Sequence, residues 1–143
     1  MLTLLALAHD VVIVCGVFAW LGLAIGLEVN SLFAVALLTI AGYSVNDTVV
    51  VFDRIRERQR EDGDLAITDQ VDRAVSATLT RTIYTSGTTL LPLLALILFG
   101  GATLYWFAIA LALGVIVGSW SSIALAPSLL TIWSGASRSS ARA

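Results

Sequence analysis

Residues 31–60 read SLFAVALLTIAGYSVNDTVVVFDRIRERQR, an apolar run with one acid in it that passes without a turn signal into a band of alternating charge. Roughly 20 predominantly apolar residues cross a bilayer, and Ser31 to Phe52 meets that length. Beyond it, the pairs Asp53 with Arg56, Glu57 with Arg60 and Arg58 with Asp62 fall at i,i+3 or i,i+4, spacings that support helix rather than coil. The span is therefore expected to continue past the membrane until Gly63 stops it.

The rest of the chain extends the same pattern. Of 143 residues, 58% are hydrophobic and 13% charged, against about 25% charged in soluble domains, and the mean hydropathy is +0.93. Fourteen of the eighteen Asp, Glu and Arg residues lie between Asp47 and Arg81. A chain so composed cannot build a water-facing surface, which excludes a cytosolic enzyme, a nucleic-acid binder and a disordered chain. The net charge of −2, with no lysine, creates no strong field of one sign. Cys15 sits alone in an apolar run, so there is neither a disulfide framework nor a thiolate metal cage. The first segment lacks a basic n-region and contains His9 and Asp10, unlike a signal peptide.

Three further spans are expected, at about Leu2 to Leu27, Thr82 to Phe99 and Leu104 to Trp133. The fold class is all-α, a polytopic four-helix transmembrane bundle over residues 1–133. Its cytoplasmic helical loop covers 53–81, and a small, polar tail at 134–143 reads as disordered. Glu28–Asn30 and Gly100–Thr103 are short linkers without Arg, whereas the central loop carries Arg54, Arg56, Arg58, Arg60 and Arg73 and the tail Arg138 and Arg142. Basic residues stay inside, which makes both termini cytoplasmic. Thr68 resembles an N-cap, and Ile67, Val71, Ala74, Val75 and Thr78 form the stripe of an interfacial helix. Pro92 is expected to kink span three at Thr88. Tyr105, Trp106 and Trp133 suit interfacial belts. Ala110, Gly114, Gly118 and Ser122, with Gly22 and Gly26, read as small-residue ridges for close helix contact, within the bundle or toward a partner.

Asp10, Asp47 and Arg81 are the residues such spans should not contain. A charge at mid-bilayer costs about 2.5–3.5 kcal/mol on insertion scales, so it faces a bundle interior or a water path and pairs. Asp47 lies about six residues before the end of its span, roughly 9 Å deep. Arg81 enters from the same side on a long stem, which puts an Asp47–Arg81 ion pair within reach. Thr78, Arg81, Thr82, Thr85 and Thr89 share one helical face, and Tyr43, Asn46 and Thr48 add hydrogen-bonding groups beside Asp47. So much polarity implies a hydrated crevice. The plainer readings stay open: a static pair for Asp47, snorkelling for Arg81. Asp10 either joins a proton relay, bonds a neighbouring Ser or Thr, or positions His9. Enzymatic readings fit poorly. Asp47 lacks the Gly-x-Gly-Asp context of intramembrane aspartyl proteases, Ser86-Gly87 has no later His, and no metal cluster or phosphate loop is present.

Four blocks, ALAHDVV (6–12), GYSVNDTVVVFDRIRE (42–57), LTRT (79–82) and TSGTTL (85–90), resemble in order the SecF branch of the bacterial SecD/SecF protein-export family, of the RND superfamily. The resemblance covers that branch's spans three to six only, which reads as a fragment, a split gene product or a truncation. It implies a plasma-membrane accessory of the Sec translocon (SecYEG, driven by SecA) that works with SecD on exported preproteins. The driving ion would be the proton, with sodium as the alternative, and neither cofactor nor nucleic acid is implied. It also implies that Asp47 is the family's intramembrane acid and Arg81 its basic residue, a second acid coming from SecD. Asp10, His9, Asn46, Thr48 and Thr85 stand as relay or supporting candidates. Another RND transporter and a purely structural subunit remain as alternatives.

Overall fold

A computed structural model describes residues 2–61 and 66–132, and all regular structure among them is helical. The helices are α1 (Leu2–Ile25), α2 (Ser31–Glu61), α3 (Ile67–Phe99) and α4 (Gly101–Ile132), the last containing one π-helical turn at Ser121–Leu125. Each is long and apolar enough to cross a membrane. The chain is an all-α polytopic membrane protein.

Glycine and asparagine set the turns. Gly26 adopts φ +68° and its N–H bonds the Gly22 carbonyl at 3.0 Å, a left-handed stop for α1. Gly22 and Gly26 therefore end a helix rather than form a ridge. Asn30 then caps α2, its Oδ1 accepting from the Leu32 N–H at 3.0 Å. Between α3 and α4 the expected four-residue linker shrinks to a glycine corner. Gly100 N–H bonds Leu96 O at 2.8 Å, and Gly101 turns the chain at φ +70°.

Two expectations for the charged segment change. α3 is capped by Ala66, not Thr68, and Gln70 N–H bonds the Ala66 carbonyl at 3.1 Å. The earlier start lets Ile67 join the apolar cluster of Val51, Ile55, Val71 and Ala74. The interfacial helix and span three are thus one element, unbroken through Pro92. On α2, among the described residues, Arg54 pairs with Glu57, and neither Asp53–Arg56 nor Glu57–Arg60 is formed. Asp62, Gly63, Trp133 and the tail lie outside the described residues.

α2 and α4 form the central pair, and α1 and α3 each pack against both. Lipid supplies no hydrophobic drive for this, so close approach at small residues must. Ala110, Gly114, Gly118 and Ser122 are all buried. Gly114 lies so tightly on Ile40 that a Cβ there would stand 2.3 Å from its side chain. Two apolar layers result. One joins Val14, Phe18, Ala36, Ile40 and Ala110, and Trp106 packs on it, edge-on to Phe18. The other is the Val51–Ala74 cluster. Leu23, Leu38, Leu91, Phe99 and Trp120 point outward, as lipid-facing side chains should.

Gly114→Ala is expected to lower the thermal midpoint of the detergent-solubilised chain, because Ile40 is buried and overpacking costs roughly 1–3 kcal/mol. Gly16→Ala, on an open face of α1, should leave the midpoint unchanged or raise it.

Candidate functional site

Between the two apolar layers lies a buried polar belt of Asp10, Ser44, Asp47, Thr48, Thr78, Thr82, Ser121 and Ser122. Its order along α2 explains the arrangement. Ile40 belongs to one layer, Ser44, Asp47 and Thr48 to the belt, and Val51 and Ile55 to the other layer.

On α1 the inward stripe is Ala6, Asp10, Val14 and Phe18, so Asp10 takes a core position and is fully buried. Its Oδ2 accepts from Ser44 Oγ of α2 at 2.5 Å and from Ser121 Oγ of α4 at 2.7 Å. His9 Nδ1 lies 3.0 Å from Oδ1, and the half-buried ring donates there in the tautomer protonated at Nδ1. Of the readings left open for Asp10, bonding to neighbouring hydroxyls and a contact that holds His9 are both present in this structure. Three helices meet on one carboxylate.

Asp47 is held in the same way. Ser122 Oγ of α4 donates to Oδ2 at 2.7 Å, and Thr82 Oγ1 of α3 lies 3.4 Å from Oδ1. The expected Asp47–Arg81 contact is not formed among the described residues. The reason is angular. Successive helical residues differ by about 100°, and α3 turns Thr82 inward, which swings Arg81 out to an exposed position. There it borders a groove with Asp53, Arg54, Glu57 and Thr78. The polar face read on α3 divides accordingly. Thr78 and Thr82 are buried, whereas the Thr85 and Thr89 hydroxyls bond their own helix at Arg81 O (2.9 Å) and Thr85 O (2.8 Å). Asn46 is exposed, and Thr48 is buried with its hydroxyl unpartnered among the described residues. Among the described residues no hydrogen bond joins the two carboxylates.

A third cluster stands one turn along from Asp47. Ser86 Oγ lies 2.5 Å from Ser119 Oγ, and Tyr43 Oη lies 3.2 and 3.4 Å from the two. Ser86 also reaches Thr82 O at 2.7 Å. The sequence reading missed Ser44, Ser119 and Ser121 as site residues and took Ser122 only as a packing residue. A signal existed: Ser119, Ser121 and Ser122 crowd into four positions of an otherwise apolar span.

The sequence pattern of the family described as "Protein export membrane protein SecD/SecF, C-terminal" matches residues 1–136. The chain belongs to the SecD/SecF C-terminal family. Among its relatives, the protein translocase subunit SecF of Prochlorococcus marinus is 78% identical over 129 residues, covering 90% of this chain and 40% of that protein. SecF of Synechocystis is 53% identical over 130 residues, 91% of this chain and 41% of that one. The protein translocase subunit SecDF of Thermus thermophilus is 47% identical over 131 residues, 92% of this chain and 17% of that one. A crystal structure of SecDF in a super-membrane-facing form superposes with a TM-score of 0.91 at 44% identity, covering 99% of this chain and 19% of that chain. The chain thus spans about 40% of the length of the SecF relatives.

The hydroxyl contacts differ in what happens when the acid is removed. Ser121 has a second acceptor, Gly118 O at 3.1 Å, while Ser44, among the described residues, bonds Asp10 alone. In double-mutant cycles read by thermal unfolding, Asp10→Ala should couple more strongly to Ser44→Ala than to Ser121→Ala. Couplings of this kind average about 0.6 kcal/mol and reach about 1.7. The reverse order would refute the assignment of partners.

Proposed function

We propose that this chain is the ion-coupled membrane portion of a SecD–SecF protein translocase subunit, using the proton-motive force to promote protein export through the Sec translocon. The supporting observation is Asp47, an acid all but buried between α2, α3 and α4 and held, among the described residues, by hydroxyls. Intramembrane acids are costly and mark ion paths. The family membership and the relatives named SecF and SecDF supply the export context and SecD as the partner.

In this reading both termini and the arginine-rich segment face the cytoplasm of a bacterial plasma membrane. A proton arriving from the other side neutralises Asp47, its hydroxyl partners exchange, and release inward restores the charge. Asp47 and Arg81 remain the coupling pair, but they act in different states rather than as a fixed bridge. Arg81, exposed and set beside Asp53 and Glu57, is free to meet Asp47 in another conformation or an acid on SecD. His9 and Asp10 serve as a secondary relay. One charge crossing 100 mV is worth about 2.3 kcal/mol, more than the roughly 0.6 kcal/mol of a typical interhelical hydrogen bond. Sodium in place of the proton, a different RND transport activity and a purely structural role are the competing readings.

Placed in a complete SecF, Asp47→Asn and Arg81→Ala should each abolish proton-dependent export into inverted vesicles while membrane insertion and SecD co-purification persist. Undiminished export in Asp47→Asn would remove the ion-coupling role. Tolerance of both substitutions would leave a structural subunit.

A further inference from the structure

Ser121 and Ser122 each sit between two acceptors. Ser121 Oγ lies 2.7 Å from Asp10 Oδ2 and 3.1 Å from Gly118 O. Ser122 Oγ lies 2.7 Å from Asp47 Oδ2 and 3.0 Å from Ser119 O. A hydroxyl has one proton to donate, so each serine serves either a carboxylate on a neighbouring helix or a carbonyl of its own. Which acceptor wins depends on charge, because a hydrogen bond to an ionised carboxylate is roughly twice as strong as a neutral one.

The two serines also open the π-helical turn Ser121–Leu125, where Ala126 N–H bonds Ser121 O five residues back. Pro127, buried just beyond, has no N–H to hold the carbonyl four residues earlier, at Ile123, in α-helical register. Single π turns of this kind occur often at functional sites. α4 is therefore already loosened at the residues that touch both acids. The other titratable groups nearby are His9 on α1, Tyr43 on α2 and Arg81 on α3, and none of them bonds Asp47. α4 brings only hydroxyls.

We infer that Ser121 and Ser122 are positioning residues that convert the charge state of Asp10 and Asp47 into the conformation of α4 at its π turn. With Asp47 ionised, Ser122 donates to it and ties α4 to α2. When a hydronium ion delivers a proton, the products are the carboxylic acid and water. The new O–H can then donate to Ser122 Oγ, whose own hydrogen turns to Ser119 O. The tie between helices changes direction and weakens, and the π turn is free to relax. Ser121 makes the same exchange between Asp10 and Gly118 O. This inference rests on the ion-coupling reading above.

The test uses the complete SecD–SecF complex in proteoliposomes with the translocon, and infrared difference spectra of the same complex between acidic and neutral pH. The Asp47 carboxyl band is identified by its loss in Asp47→Asn. Ser122→Ala should lower proton-driven export about tenfold, on the order of one hydrogen bond to a charged group, and shift that band. Ser122→Thr should restore both. Ser121→Ala should reduce export several-fold. Wild-type export in both alanine variants would overturn the inference. So would a loss in Ser122→Ala with an unmoved band and no rescue by threonine, which is the signature of packing alone. If Asp47→Asn itself exports normally, the ion-coupling reading falls, and the serine inference falls with it.

Discussion

A carboxylate inside a bilayer must find its hydrogen-bond donors within the protein, and the bundle is arranged around that requirement. Asp10 and Asp47 together draw donors from all four helices, and among the described residues each partner other than His9 is a hydroxyl. For Ser121 and Ser122 to reach two acids on two helices, α4 must approach α1 and α2 closely. Gly114 and Gly118 provide that approach, the first against Ile40 and the second against Ser44 and Asp10. The apolar layers on either side then seal the belt.

Much of this fold was legible in the sequence because the bilayer imposes a coarse constraint. An apolar stretch of the right length must be a helix, since no other spanning element satisfies its own backbone. The four spans and the continuation of α2 into the charged band followed from length and from i,i+3 and i,i+4 spacing. The small-residue ridge on α4 was also visible, because a four-residue repeat fixes one face of a helix. Asp47 stood out for the same reason that it is buried: nothing else explains an acid in that run.

What the sequence did not disclose is azimuth. Depth placed Asp47 and Arg81 on the same level, but two residues at equal depth meet only if both helices turn them toward the same seam. α3 presents Thr82 instead, a difference of one residue and about 100°. The serines escaped notice for a related reason. Ser44, Ser119 and Ser121 are common in helices, where they bond a carbonyl one turn back and signify little. Only the neighbouring helix reveals that a carboxylate competes for the same hydrogen. The π turn was equally hidden, although Pro127 near three serines was its local cause. The Ala66 cap shows the opposite case, in which tertiary packing of Ile67 overrides a good capping residue next door.

Under the proposed ion-coupled function, hydroxyl ligation suits the bundle to movement better than a locked ion pair would. A buried carboxylate–guanidinium pair resists separation, because breaking it leaves an uncompensated charge at a cost of about 3–5 kcal/mol. A single proton falling through 100 mV offers about 2.3 kcal/mol, too little to part such a pair in one step. Hydroxyl partners lower the barrier in two ways. They need no desolvated cation, and they carry their own alternative acceptors at Gly118 and Ser119, so that no donor is orphaned when the acid is neutralised. On this argument Arg81 belongs outside the belt in the state seen here. Had it been clamped on Asp47, the helices would be harder to move.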